Sequence, residues 1–314
     1  MTDNPSTDLV RGADTCEAIF DAANGRSVSY AELRQQVRNF ALILRDINKT
    51  RDLAFLYASN SIDSIVLYLA AAEAGIPLVL LEPREANLLN LVAVYSPTLL
   101  LLPSSIPVPH AYERTNPHLD GLSYVSYCRN DKNPGDTNCH PLLAILLQTS
   151  GTTGNPKLVR LTARNVFANA SSISRYLDLG PGERSIQSLP MHYSYGLSLI
   201  NSHLAVGGTI VLSPHSFMMG EFWRDFDAAH CTSFAGVPFI YETLHRIGFD
   251  PSKHPTLRTM THRPPMRTRA HATEDARAGC SAALTRASRP RRATLRSPRC
   301  PPTSAGRTAT TGSR

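Results

Sequence analysis

Short apolar runs alternate with amphipathic segments along the first 260 residues of the chain. Runs of four to six mostly apolar residues, typical of strands buried on both faces, occupy residues 53–57, 78–81, 99–102, 142–147 and 209–212. Further strands are predicted at 16–20, 28–30, 185–189 and 232–235, and the start of another at 257–261. Residues 103–141 are polar and punctuated by Pro, and predict a connecting loop with a short strand at 122–127.

Helices are predicted between these strands. The first has one apolar face at helical spacing, formed by Leu33, Val37, Phe40, Ala41 and Leu44. Ser29, followed three residues later by Glu32, has the pattern of a capping box. Further helices are predicted at 62–74, 88–95, 165–177, 199–204, 223–229 and 238–244, the third of these with Asn165 as its N-cap.

This alternation favours an α/β fold with mostly parallel sheets covered by helices. The length of 314 residues suits two subdomains. We place the first at residues 1–140 and the second, which is partial, at 141–261. Residues 262–314 form a separate tail.

The tail differs from the rest of the chain in composition. Residues 261–314 contain twelve Arg, no Lys and two acidic residues, a formal charge of +10, so the overall +7 leaves −3 for residues 1–260. From residue 263 onward the tail has no Ile, Val, Phe, Tyr or Trp. Such a segment buries too little apolar area to offset its ordering entropy, so we expect it to be disordered.

Small polar residues follow the predicted strand at 142–147. They are Thr149, Ser150, Gly151, Thr152, Thr153 and Gly154, with Lys157 three positions later. Glycines permit unusual backbone angles, successive amides can form a concavity for an anion, and a lysine can meet a phosphate as a point charge. The spacing Gly-x-x-Gly-x-x-Lys is not that of a Walker loop. A phosphate-binding loop is the favoured interpretation, and a flexible surface loop is the alternative.

A second segment, residues 190–197, reads Pro-Met-His-Tyr-Ser-Tyr-Gly-Leu and lies at a predicted strand-to-helix junction. Its rings, including those of His192 and Tyr193, could form the floor of a pocket and contact a ligand with one polar tip. From the residues alone, an aromatic turn packed on the core is the better interpretation.

The nine residues 149–157, Thr-Ser-Gly-Thr-Thr-Gly-Asn-Pro-Lys, resemble the signature loop of the adenylate-forming enzymes, which include AMP-forming acyl-CoA synthetases, adenylation domains and luciferases. Residues 190–197 are similar to the family's Pro-x-x-[His or aromatic]-x-x-Gly motif. Weaker similarities occur at 28–33, 72–75 and 236–238, and the resemblance stops at about residue 262. One departure is Leu158, where the family usually has Gly.

The resemblance implies a ligase that joins a carboxylate to AMP from ATP and Mg²⁺, and then passes the acyl group to a thiol of coenzyme A or a carrier protein. The nucleotide-binding residues would be Thr149, Ser150, Gly151, Thr152, Thr153, Gly154 and Lys157. Thr153 would also contact the metal, and Lys157, Tyr193 and His192 would be catalytic. The expected partners are ATP and a small-molecule carboxylate.

Three expected family features are missing from the sequence. These are the Tyr-Gly-x-Thr-Glu segment that supplies a metal-binding Glu, the Asp that holds the ribose, and the small C-terminal domain with its catalytic Lys. We therefore expect an AMP-binding fragment that is catalytically incomplete.

Two alternatives remain. One is a non-catalytic, truncated remnant that binds nucleotide weakly, and the other is nucleic-acid binding through the basic tail. Because the tail lacks Lys and base-stacking aromatic residues, a shifted reading frame is the favoured explanation of its composition, and no nucleic-acid partner is expected.

The expected location is the cytoplasm, without membrane association. The N-terminus has no signal-peptide pattern, no apolar run reaches about 18 residues, and the six Cys lack a repeated spacing and predict reduced thiols. The sequence does not indicate an oligomeric state.

Overall fold

The computed structural model describes residues 9–115, 119–130, 139–148 and 157–262. Within them the strands are β1 (Glu17–Asp21), β2 (Arg26–Ser29), β3 (Ala54–Tyr57), β4 (Leu78–Leu81), β5 (Leu99–Pro103), β6 (Tyr112–Arg114), β7 (Tyr124–Arg129), β8 (Leu143–Gln148), β9 (Leu158–Thr162), β10 (Arg184–Ile186), β11 (Thr209–Leu212), β12 (Ser233–Gly236) and β13 (Thr259–His262). The α-helices are α1 (Tyr30–Ile47), α2 (Ile62–Ala74), α3 (Glu85–Tyr95), α4 (Ala163–Tyr176), α5 (Ser194–Leu204), α6 (Gly220–Ala228) and α7 (Pro238–Arg246).

The strands form two mixed sheets. The first sheet has the order β13-β12-β10-β11-β1-β2, and all its pairs are parallel except the β1–β2 hairpin. The second has the order β6-β7-β5-β3-β4-β8-β9, with a parallel centre of β5, β3, β4 and β8. The predicted mostly parallel α/β fold is therefore confirmed, with antiparallel strands at the margins.

Each sheet takes strands from both sides of residue 140. Strands β1 and β2 lie in the sheet of β10 to β13, whereas β8 and β9 extend the sheet of β3 to β7. The subdomain division at residue 140 is thus not a division between the sheets.

The core is layered around the two sheets. Alternate residues of β4 contribute to different hydrophobic clusters. Leu78 and Leu80 belong to a cluster that also contains residues of α1, α2 and the first sheet. Val79 and Leu81 belong to a cluster on the outer face of the second sheet. Since side chains alternate across a strand, helices α1 and α2 lie between the sheets. Both faces of β4 are buried, as its continuous apolar sequence predicts.

The helix ends follow local sequence signals. Ser29 and Glu32 form the predicted capping box of α1. Gly75 ends α2 with a φ of 72°, a left-handed conformation that glycine adopts without strain.

Several predicted element boundaries are wrong. The N-cap of α4 is Thr162, and Asn165 is instead the third residue of that helix and the partner in its capping box. Helix α5 begins at Ser194, within the predicted strand-to-helix junction at residues 190–197. Strands β6 and β9 were not predicted, because β6 has only three residues and β9 contains the polar residues Arg160 and Thr162.

The cysteines are of two kinds. Cys128, Cys139 and Cys231 are free, as predicted, whereas Cys16 is disulfide-bonded, so the prediction of reduced thiols is wrong for that residue.

Among the described helices, none has the length and apolar character needed to cross a membrane. The predicted tail, residues 262–314, lies outside the described residues except for His262.

Candidate functional site

The carboxyl ends of the parallel strands of the second sheet form one edge of that sheet. Strands β3, β4 and β8 are neighbours in that order and run in the same direction. Their carboxyl ends are followed by Ala58, Glu82 and the segment after Gln148. In open α/β sheets this edge is where ligands bind.

The predicted phosphate loop is attached at this edge. Thr149, Ser150, Gly151, Thr152, Thr153 and Gly154 lie outside the described residues, but both flanks of the loop are described. Gln148, the last residue of β8, is paired with Leu158, the first residue of β9. Lys157 immediately precedes β9 and is exposed, so it lies at the carboxyl end of β8, where the sequence analysis placed its positive charge.

A reciprocal amide pair fixes Gln148, the last residue of β8. Asn87 Nδ2 donates to Gln148 Oε1 at 2.9 Å, and Gln148 Nε2 donates to Asn87 Oδ1 at 2.9 Å. Two parallel bonds restrain orientation as well as distance, so helix α3 holds the last residue of β8 in place. The sequence analysis did not identify this pair, and no local pattern connects residues 61 positions apart.

The segment 187–193 follows β10 in the other sheet and crosses toward the edge of the second sheet. Asn60, in the turn after β3, donates through Nδ2 to Leu189 O at 3.1 Å and accepts from Met191 N at 2.9 Å through Oδ1. Gln187 Nε2 also donates to Leu189 O, at 2.6 Å, and to Gly196 O, at 3.2 Å. Asn60 therefore holds the segment from the turn after β3, and Gln187 holds it from within, and neither was predicted as a site residue.

His192 lies on the side of the segment that faces the second sheet. It is half-buried and hydrogen-bonded to the backbone of Ala58, while its Nδ1 is buried with no partner among the described residues. Burial lowers the pKa of His192, and the hydrogen bond to Ala58 opposes that shift. The ring is therefore neutral near pH 7.

Tyr193 occupies a different position from His192. It is the N-cap of α5, without a side-chain cap hydrogen bond, and 40 % of its surface is exposed. A ligand at this junction would therefore meet an exposed Tyr193 ring and a half-buried His192 ring. The two predicted aromatic site residues are adjacent in the chain but differ in their surroundings.

Gly196 permits the tight turn from this segment into α5. A Cβ added at Gly196 would lie 2.2 Å from Pro190 O. A side chain is excluded there unless the backbone moves, which accounts for the glycine at this position of the motif.

The predicted site residues that the structure describes lie in two groups, on connections that follow strands of different sheets. Lys157 belongs to the β8–β9 connection, and His192 and Tyr193 belong to the β10–α5 connection. Adjacent strands lie about 4.8 Å apart, so the carboxyl end of β8 is about 10 Å from that of β3, where Asn60 holds the His192 segment. That separation is comparable to the length of a triphosphate with its sugar.

The metal predicted at Thr153 falls outside the described residues. Among the residues that the structure does describe, no group of three His, Cys, Asp or Glu side chains could hold a metal ion.

Comparison with known proteins agrees with these features. The sequence model of the family described as "AMP-binding enzyme" matches residues 10–297. The matched region includes residues 149–157 and 190–197. It also extends past residue 262, at about which the sequence analysis expected the resemblance to stop.

Curated relatives include CoA ligases. A sulfoacetate–CoA ligase from Cupriavidus necator is 41% identical over 101 residues, which cover 32% of this chain and 20% of that protein. A putative fatty-acid–CoA ligase, fadD25, from Mycobacterium tuberculosis is 27% identical over 244 residues, which cover 70% of this chain and 42% of that protein. The chain thus spans less than half the length of these relatives.

Solved structures share the fold. ATP-bound MatB from Rhodopseudomonas palustris superposes with a TM-score of 0.61 at 22% identity, over 83% of this chain and 55% of that chain. CmiS6 superposes with a TM-score of 0.68 at 23% identity, over 83% of this chain and 65% of that chain.

The fold, the sequence of the loop at the end of β8 and a family match over most of the chain agree, and we conclude that the chain belongs to the AMP-binding enzyme family.

Proposed function

We propose that this chain is the nucleotide-binding part of an ATP-dependent, carboxylate-activating ligase of the acyl-CoA synthetase type. The observation that carries the proposal is the attachment of the 149–157 loop at the carboxyl end of β8 in a chain of the AMP-binding family. Solved relatives are described as ATP-bound or in complex with AMP.

In the proposed reaction a carboxylate oxygen attacks the α-phosphorus of ATP. The bond to the bridging oxygen of the β-phosphate breaks, and pyrophosphate leaves with the electron pair. Charge that develops on the departing group must be stabilised in place. The amides of residues 149–154, the hydroxyls of Ser150, Thr152 and Thr153, and the ammonium of Lys157 would provide part of that stabilisation.

The His192 segment would orient the reacting groups. A neutral His192 that donates to the backbone of Ala58 through its other ring nitrogen can accept one hydrogen bond at Nδ1 without adding charge, and Tyr193 can cover the reacting carboxylate with its ring. The acceptor of the acyl group would be coenzyme A or a carrier-protein thiol. Mg²⁺ would accompany ATP, and Thr153 would contact it. The proposed location of the protein is the cytoplasm.

The test is nucleotide binding by the full chain. ATP should raise the melting temperature of the protein, and Lys157→Ala should weaken ATP binding by about tenfold or more, since a charge-assisted contact contributes roughly 1.5–3 kcal/mol. Lys253→Ala is the matched control, because Lys253 lies in the exposed 3-10 turn Pro251–Lys253, outside this site.

Equal ATP affinity in Lys157→Ala and the unaltered chain would refute the placement of the nucleotide. ATP stabilisation without any carboxylate-dependent effect would instead favour the alternative of a non-catalytic remnant that retains weak nucleotide binding.

A further inference from the structure

A cavity lies at the amino end of β8, opposite the proposed nucleotide site. Its volume is about 920 Å³, and its lining includes residues 142–145, at and just before the start of β8, the end of α2 and the first turn of α4. The phosphate loop follows Gln148, at the carboxyl end of the same strand. Because a strand rises about 3.3 Å per residue, Leu143 and Gln148 are about 17 Å apart, and the two sites are separate.

The walls of this cavity are mostly apolar. They are formed by Leu9, Ile76, Leu142, Ile145 and Val166, among others. Leu142 is 65% exposed, although it is a large apolar residue at the cavity wall. A ligand with an apolar body would cover this surface, and transfer of apolar area from water is favourable.

Three arginines line the same cavity. Arg45 comes from the last turn of α1, Arg51 from the connection to β3, and Arg164 from the first turn of α4. They converge from three separate parts of the chain on one cavity, so three positive charges lie around its apolar walls.

Some guanidinium groups elsewhere in the described residues are neutralised by carboxylates. Arg34, Arg84, Arg184 and Arg224 each form a salt bridge with Asp or Glu. The three cavity arginines form no salt bridge with any described residue.

The partners of the cavity arginines are backbone carbonyls. Arg45 Nη2 donates to Glu73 O, and Arg51 Nη2 donates to Leu143 O at 2.8 Å. Arg164 forms no hydrogen bond or ion pair with any described residue. Each guanidinium has five N–H donors, so these contacts fix Arg45 and Arg51 in place and leave donors over. Glu73 is the acidic residue of the lining.

We propose that this cavity is a binding site for a small amphipathic organic anion, with an apolar body against the Leu and Ile walls and a carboxylate or phosphate head at the three arginines. Guanidinium forks match both head groups in geometry. The site is distinct from the nucleotide site, and it does not depend on the proposed function.

The experiment titrates the full chain with decanoate, decyl phosphate and the uncharged decanol, and follows binding by calorimetry and hydrogen exchange. We expect saturable binding of at least one anion, binding of decanol at least tenfold weaker, and protection from exchange within residues 71–76 and 141–145. Arg45→Gln/Arg164→Gln should weaken binding of the anion at least tenfold.

The matched control is Arg175→Gln. Arg175 is an exposed arginine on the same helix, α4, makes one backbone hydrogen bond and does not line the cavity. A second variant, Ala72→Leu, narrows the cavity without changing its charge and should also weaken binding. Melting temperatures within a few degrees of the unaltered chain show that each variant folds.

Three results would overturn the proposal: equal affinity for decanol and the anions, unchanged affinity in Arg45→Gln/Arg164→Gln, or protection located at residues 187–193 instead. The last would assign the anion to the carboxylate site of the proposed reaction. ATP-dependent stabilisation is measured in the same samples, so failure of this proposal is distinguishable from failure of the proposed function.

Discussion

At the scale of single residues, the distance to neighbouring atoms and the degree of burial decide which side chain a position tolerates. Gly196 and His203 illustrate the two effects, the first through the absence of a side chain and the second through a ring enclosed in the core. Each leads to a measurable expectation.

Gly196→Ala should destabilise the protein by about 1–3 kcal/mol, the usual cost of forcing extra volume into a packed position. The added Cβ would lie 2.2 Å from Pro190 O, so the turn before α5 must shift. Urea unfolding measures the change. Gly180→Ala is the control, because a Cβ at Gly180 meets no atom within 4 Å; equal effects would contradict the close-approach argument.

Stability should fall as the pH falls below about 6.5, the unperturbed value for histidine. His203 is fully buried, with Nδ1 2.9 Å from Leu199 O, and burial lowers its pKa, as it does for His192. A lowered folded pKa means that the unfolded chain binds more protons, so stability is full above that pH and is lost below it.

Urea unfolding midpoints between about pH 8 and about pH 5 measure this loss, with a slope of up to about 1.4 kcal/mol per pH unit for each histidine. His203→Gln should flatten the profile, whereas the exposed His245→Gln should leave it unchanged. A profile that is flat in the unaltered chain would rule out buried neutral histidines as its cause.

At the scale of elements, the site depends on hydrogen bonds between connections that belong to different sheets. Asn60 follows β3 in one sheet, and the segment that it holds follows β10 in the other. A change at Asn60 should therefore affect both stability and the alignment of His192 with the phosphate loop.

Asn60→Ala should cost about 1–3 kcal/mol of stability, because it leaves Leu189 O and Met191 N without that partner. It should also reduce the ATP-induced rise in melting temperature. Asn24→Ala is the matched control. Like Asn60, Asn24 makes two side-chain hydrogen bonds, but both lie within the exposed β1–β2 turn. If both variants retained the full ATP effect, Asn60 would have only a structural role.

The elements that the sequence predicted well are those determined by local pattern. The apolar runs of β3, β4 and β5, the capping box at Ser29 and the stop at Gly75 depend on residues close together in the chain. Strand β9 was missed because pairing with β8, rather than its own composition, makes it a strand.

The candidate site was only partly predictable for the same reason. Its signature residues, such as Lys157 and His192, were recognisable from motif resemblance, although their roles stay predictions. The residues that hold them, Asn60, Asn87 and Gln187, act across 2 to 131 residues of sequence. Amide side chains of this kind show no periodic pattern, so only the folded structure reveals them.

At the scale of the whole molecule, the chain spans 42% of fadD25 and 55% of MatB. We expect little or no ATP–pyrophosphate exchange from the purified chain with any carboxylate, because family segments expected for metal and ribose binding are absent from its sequence. A full-length CoA ligase of the family is the positive control. Robust exchange by this chain would show that the expectation of incompleteness is wrong.

The pairing of β1 with β11 has a consequence for the order in which the protein forms. Thr209 Oγ1 donates to Glu17 O, 192 residues earlier in the chain, and Ile19 lies opposite Ile210. At a ribosomal rate of about 5–20 residues per second, the first hairpin waits roughly 10–40 s for its neighbour. During synthesis the edge of β1 that later pairs with β11 is open to chaperones and to other nascent chains. The yield of native protein should therefore depend on what covers the β1–β2 hairpin before β11 emerges from the ribosome.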